Sequence, residues 1–232
     1  MDRDSTRQRS QGHISMSRRR TLIAQQTRLQ PLPDLPTVRL YLAEDVEPVW
    51  QATDTARGRA GGPIPFWAYA WAGGIGLARY LLEHPDEVAG RTVLDIATGS
   101  GLCAIAAMQA GASGATGADV DPFAELAVAM NARANRVRVG FTGRDLLESD
   151  PPDVDVVLAG DTWYEARLSE RIAPWLTAAA EHGSRVLIGD PGRRYLPMTG
   201  LQRLATYEVR TTTRLEDRDI VPTGVFALTD VT

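Results

Sequence analysis

The chain has 232 residues, 44% hydrophobic and 23% charged, with a formal net charge of −4. That is ordinary for one globular domain with a sizeable core, and it carries no global electrostatic footprint for nucleic acid. A single cysteine, Cys103, excludes an intrachain disulfide, and no apolar run approaches the roughly 20 residues needed to span a bilayer.

In chain order, residues 1–16 read as a disordered tail, 17–90 as an N-terminal extension of helix and strand, and 91–232 as the core. The tail is rich in Arg and Ser, as organellar presequences are, but Asp2 and Asp4 oppose that reading. The expected location is therefore the cytoplasm of a bacterial cell rather than a mitochondrion. Within the extension the pattern predicts a helix from Ser17 to Leu29, ended by PLPDLP at 31–36. TVRLYLA at 37–43 alternates like a strand, RGRAGGP at 57–63 is a loop, and WAGGIGLARYLLEH at 71–84 is a helix stopped by Pro85.

The core is more regular. Strands are predicted at 92–97, 114–120, 136–141, 154–160 and 185–190, and helices at 101–111, 122–135 and about 165–181. Asp121 reads as an N-cap with Pro122 at the first helical position. A last helix near 197–206 precedes two strands near 207–214 and 220–229. Strands alternating with helices predict an α/β fold: a Rossmann-like seven-stranded, mostly parallel sheet, helices on both faces, and an antiparallel C-terminal hairpin.

Gly99-Ser100-Gly101 lies between the first core strand and its helix, and Ala104 completes G-x-G-x-x-A. Glycine spacing alone also fits a dinucleotide. Charge separates the two. A pyrophosphate at the helix N-terminus would meet Asp95 just before the loop, and Asp119, Asp145, Asp161 and Asp190 stand at the ends of the other strands. Ligands of open α/β sheets bind at that edge, so a row of carboxylates favours a cationic ligand such as S-adenosyl-L-methionine over NAD. Each acid alone reads as a turn or cap residue; their joint placement on one edge is what favours a cationic ligand.

Other chemistries lack their residues. His13, His84 and His182 are scattered, so no metal site is expected, and Thr98 stands where a G-x-S-x-G elbow needs its first glycine. Cys103 falls inside an apolar helix and reads as packing. Trp175 reads as core, with Leu168, Ile172 and Leu176 at helical spacing.

Segments beyond the glycine loop carry a further resemblance: PFWAYAWAGG at 65–74, ARYLLEHP at 78–85, VLDIATGSG at 93–101, ADVDPFA at 118–124, GDTWY at 160–164 and VLIGDPGRRYLP at 186–197. With them the chain resembles class I methyltransferases of the family that modifies lysines on the electron transfer flavoprotein β-subunit. The resemblance implies one bound S-adenosyl-L-methionine, held by Asp95, Ala97, Thr98, Gly99, Ser100 and Gly101 of the loop. Asp119 and Val120 would meet the ribose, Asp145 and Leu146 the adenine, and Trp71 would close the pocket. Asp161 and Tyr164 form the D-x-x-Y element. Asp161 is expected to orient the amine, and Tyr164 with Trp163 to flank the cation, the alternative for both aromatics being hydrophobic cover over the sheet edge. Arg193 is expected either to contact an acidic substrate surface or to be solvated. Ala97 is a departure, since the family's G-x-G-x-G begins with glycine there.

The resemblance thus implies a protein-lysine N-methyltransferase with a protein substrate and no nucleic-acid, membrane or metal partner, expected as a monomer. A small-molecule N-methyltransferase acting on a ring nitrogen shares every cofactor residue, and a non-catalytic cofactor-binding protein stays open at Ala97. All 25 basic residues are arginine, so an enzyme acting on lysine could not modify its own side chains.

Overall fold

The computed structural model describes residues 15–58, 60–211 and 218–229. The predicted tail up to residue 14 and the end of the strand expected at 207–214 lie outside these residues.

Chain order is α1 (Met16–Gln26), β1 (Arg28–Leu32), β2 (Leu35–Leu42), α2 (Val46–Arg57), α3 (Ala72–Glu83), β3 (Thr92–Ile96), α4 (Leu102–Gln109), β4 (Gly114–Ala118), α5 (Ala124–Ala134), β5 (Gly140–Thr142), β6 (Val156–Gly160), α6 (Ala166–Glu181), β7 (Arg185–Asp190), β8 (Leu201–Arg210) and β9 (Ile220–Leu228). Single 3-10 turns lie at Phe66–Ala68, Pro85–Glu87 and Leu146–Glu148. β1 and β2 form a separate antiparallel hairpin.

The main sheet has seven strands in the order β5-β4-β3-β6-β7-β9-β8. The first five are parallel, and β9 and β8 add an antiparallel edge. The chain builds outward from β3 to β5, then returns to build outward from β6. That reversal opens a crevice at the carboxyl ends of β3 and β6, where open α/β sheets take their ligands. β6 (VVLAG) and β7 (RVLIGD) read as continuous apolar runs because both their faces are covered. On one face Leu158 and Leu187 pack with α3 and α4 residues such as Leu77 and Ile105. On the other, Val157 and Ile188 pack with Ile172, Trp175 and Leu176 of α6.

Several expectations fail locally. The helix predicted over 17–29 ends at Gln26, and Leu29 instead pairs with Tyr41 in the hairpin, whose turn is made by residues 33–34. The span 46–57 is helical although its apolar pattern is sparse; only Val49 and Thr53 are buried. At 136–141 only residues 140 onward join the sheet, because Arg136 takes a left-handed φ of 59° just beyond α5. The helix expected at 197–206 is strand β8: Leu201 and Leu204 mimic helical spacing, but Tyr207 and Val209 alternate inward and β9 supplies the ladder. α5 begins at Ala124 rather than Pro122, and Asp121 accepts the Phe123 amide at 3.0 Å just ahead of it.

Candidate active site

The carboxyl ends of β3, β4 and β6 open into a cavity of about 510 Å³. Its floor is the loop after β3. Gly99 and Gly101 both need positive φ, at 50° and 82°, and Gly101 leads directly into α4. The loop is tied down from below. Asp95 accepts the Thr98 hydroxyl at 2.5 Å and the Ala104 amide at 3.1 Å, so its carboxylate sits under the first turn of α4. Asp119 accepts the Gly99 amide at 2.9 Å through one oxygen and the Asp121 amide at 2.9 Å through the other. The Asn131 side chain holds the Ser100 carbonyl at 2.8 Å and the Tyr41 amide at 2.7 Å, which links the loop to the hairpin.

These carboxylates are poised for a cation. Burial pushes Asp95 up to about 7, with the Asp119 charge adding to it. Burial likewise pushes Asp119 up to about 6. Among the described residues neither has a cationic side chain against it; their donors are hydroxyl and amide groups. An incoming positive charge would restore both to their ionised forms. Ala97 also sits in the floor, with φ 52°, the conformation for which glycine is the easier residue.

The opposite wall holds the β6 end. Asp161 is 8% exposed and also left-handed, with φ 54°. One of its oxygens accepts the backbone amides of Gly73 and of Gly74 (3.1 Å to the latter) at the start of α3. The other accepts Nε and Nη2 of Arg193 at 3.0 and 2.8 Å. Close packing makes this possible: a Cβ on Gly73 would overlap both the Gly189 carbonyl and the Asp161 carboxylate. The W-A-G-G segment is therefore the place where a helix N-terminus is delivered onto a carboxylate.

An aromatic group roofs the cavity. The Phe66 ring lies 5.0 Å from Tyr164 and 5.5 Å from Trp71, and Tyr69 lies 5.8 Å from Trp71. Burial and the neighbouring Glu165 push the Tyr164 hydroxyl up to about 12, so it stays a neutral donor.

Most residues expected from the sequence converge here: Trp71, Asp95, Ala97, Thr98, Gly99, Ser100, Asp119, Val120, Asp145, Leu146, Asp161, Tyr164 and Arg193 all line the cavity. Gly101 does not line it but shapes the loop, packing against Val128. Two expectations change. Trp163 is 2% exposed and points into the α6 side of the sheet, since alternation after β6 turns it away from its neighbour Tyr164. Arg193, expected to face a substrate, is engaged with Asp161. Asp190 stands behind the cavity wall, and Asp145 is shared with Arg171 at 2.8 Å. Phe66 and the Gly73–Gly74 pair are additions; the only signal for them was the density of aromatic and glycine residues at 65–74.

Comparison with known proteins agrees with this geometry. The ribosomal protein L11 methyltransferase (PrmA) family model matches residues 79–160. The electron transfer flavoprotein beta subunit lysine methyltransferase of Danio rerio is 37% identical over 170 residues, 71% of this chain and 66% of that protein. The Xenopus laevis protein of the same name is 35% identical over 169 residues, 70% of this chain and 69% of its own length. The chain thus spans about two thirds of the length of these curated relatives. Among solved structures, a ribosomal protein L11 methylase from Lactobacillus delbrueckii subsp. bulgaricus has a TM-score of 0.50 at 20% identity, covering 69% of this chain and 81% of that one. At that identity it speaks for the fold.

Proposed function

Since the chain belongs to the electron transfer flavoprotein beta subunit lysine methyltransferase family, we propose that it transfers a methyl group from S-adenosyl-L-methionine to a lysine amine of a protein. The electron transfer flavoprotein β-subunit, or a protein like it, is the substrate in this reading. The observation that carries it is one cavity with unpaired acidic groups on its floor and a fixed carboxylate under an aromatic roof on its far wall. The exposed rim favours a protruding lysine over a small enclosed ring: Tyr164 is 41% exposed and Val120 66%.

S-adenosyl-L-methionine, when bound, supplies a methyl group on a cationic sulfur. Asp95, Thr98, Gly99 and Ser100 would hold its amino-acid end, Asp119 its ribose hydroxyls, and Asp145 with Leu146 its adenine. The residues fit because the floor carboxylates lack cationic partners among the described residues and the glycine turns leave the loop backbone open to a ligand.

On the acceptor side the enzyme must present a neutral amine. From an ordinary lysine pKa near 10.4, deprotonation at pH 7 costs roughly 4–5 kcal/mol. Asp161 is poorly suited to take that proton, because a guanidinium fork and two amides already stabilise its ionised form. The proton therefore leaves to water, and Asp161, held by Arg193 and the Gly73 and Gly74 amides, fixes the wall against which the amine is oriented. Phe66, Tyr164 and Trp71 offer their faces to the ammonium product. Holding the amine in line is the main task, and such positioning contributes about 7–11 kcal/mol in favourable cases.

The test is labelled methyl transfer to purified electron transfer flavoprotein and to host extract. Because this chain has no lysine, labelled methyl-lysine can come only from a substrate protein. Asp161→Ala is expected to lower turnover on the order of 100-fold while S-adenosylhomocysteine still binds. Full activity of that variant removes Asp161 from the reaction. Label found only in small molecules overturns the protein-lysine reading.

A further inference from the structure

The turn after β7 is set by a residue outside the cavity. Asp190 is 1% exposed, and one of its oxygens accepts the amides of Gly192 at 2.7 Å and Arg193 at 2.6 Å. That fixes where the Arg193 backbone leaves the sheet. The guanidinium then reaches across to the end of β6 and forks onto a single oxygen of Asp161. The other Asp161 oxygen holds the Gly73 and Gly74 amides in the first turn of α3, whose N-cap is Trp71. A continuous path of hydrogen bonds therefore runs from the end of β7, through Arg193 and Asp161, to the helix that carries one wall of the aromatic roof.

Asp161 needs such a restraint. Its backbone is left-handed, with φ 54°, and it is nearly buried. A buried carboxylate without a cation would be strongly destabilised in its charged form. The side chains of Arg193 and Asp161 are 24% and 8% exposed, so water screens the pair only in part.

We propose that Arg193, held by Asp190, is a positioning residue of the transfer step: it fixes the Asp161 carboxylate in its ionised form and in one orientation. This rests on the methyltransferase reading above. Arg193 acts through Asp161 and needs no contact with either substrate.

The experiment compares Arg193→Met, which removes the charge and the donors, with Arg193→Lys, which keeps the charge without the fork. Three quantities are measured: S-adenosylhomocysteine affinity by calorimetry, kcat and KM on the protein substrate, and the titration of the Asp161 carboxyl by carbon-13 NMR. Titratable groups facing that carboxyl include Arg193 and Asp190 at the β7 end and Cys103 on α4. Arg193→Met is expected to lower kcat on the order of 100-fold, with KM and cofactor-product affinity within about threefold. Arg193→Lys recovers on the order of tenfold of that loss, since a point charge cannot replace a fork. In Arg193→Met the Asp161 midpoint rises by about one pH unit or more.

An unchanged kcat overturns the proposal, and so does a loss that falls on cofactor-product affinity instead. If the unaltered protein binds S-adenosylhomocysteine but labels no protein lysine, the functional reading fails and the role in transfer fails with it. An unchanged Asp161 midpoint refutes the coupling by itself, whatever the substrate.

Discussion

The two walls of the cavity treat their carboxylates in opposite ways. On the β3–β4 side, Asp95 is buried and Asp119 half-buried against hydroxyl and amide donors, and they are pushed up to about 7 and about 6. On the β6–β7 side, Asp161 is locked by an arginine and a helix N-terminus. The first wall stores an unmet demand for positive charge, which suits a ligand that arrives as a cation. The second has its charge balanced in advance, which suits a wall that must keep its shape while substrates come and go. The difference shows that an acidic edge read from sequence contains two kinds of acid, separable only by what lies opposite each one.

The largest effect should come from breaking the second wall at its tightest point. Gly73→Ala places a Cβ against the backbone carbonyl of Gly189 as well as against Asp161, and backbone cannot step aside. The expected cost is about 1–3 kcal/mol or more in urea unfolding, with loss of methyl transfer. A variant as stable and active as the parent would mean that α3 does not dock as closely as described.

The first wall is sharpened by pH. Its raised carboxyls hold protons in the folded, ligand-free protein that the unfolded chain releases near pH 4. Their contribution to stability is therefore present at low pH and is lost as pH rises from about 4 to about 7. A bound cation reverses the preference, since it favours the ionised forms. S-adenosyl-L-methionine binding near pH 6.5 should release protons, and its affinity should climb several-fold between pH 6 and 8. Calorimetry in two buffers of different ionisation enthalpy measures this directly; proton uptake, or no exchange at all, would contradict the account of this wall.

The smallest effect concerns Ala97. Its φ of 52° costs a residue with a side chain about 1–2 kcal/mol, which Ala97→Gly would relieve. The gain is offset by the extra freedom of glycine in the unfolded chain, about 0.4–1 kcal/mol. A net stabilisation below about 1 kcal/mol is expected from urea midpoints. Destabilisation by more than that would show that the methyl group packs usefully in the floor.

Much of the first wall was legible from sequence. The G-S-G turn, Asp95 and Asp119 are local features, fixed by a strand, a turn and a helix within a few residues of each other. The strand–helix alternation also gave the fold class, because the interiors of β6 and β7 are apolar and the helix α6 between them is amphipathic. The failures share a cause. β1, β8 and the short β5 owe their state to pairing with another strand, which their own residues do not encode, and β8 kept a helix-like spacing at Leu201 and Leu204 that only pairing with β9 overrides.

The sequence by itself therefore determined the parallel core, the loop and the row of acids at its edge. Tertiary structure alone decided which acids stay unpaired, that Trp163 faces the core while Tyr164 faces the cavity, and that Arg193 belongs to Asp161. The reason is range. Turns and strands are set by neighbouring residues, whereas the charge state of a carboxylate depends on groups brought to it by the fold, here Arg193 from 32 positions along the chain and Gly73 from 88.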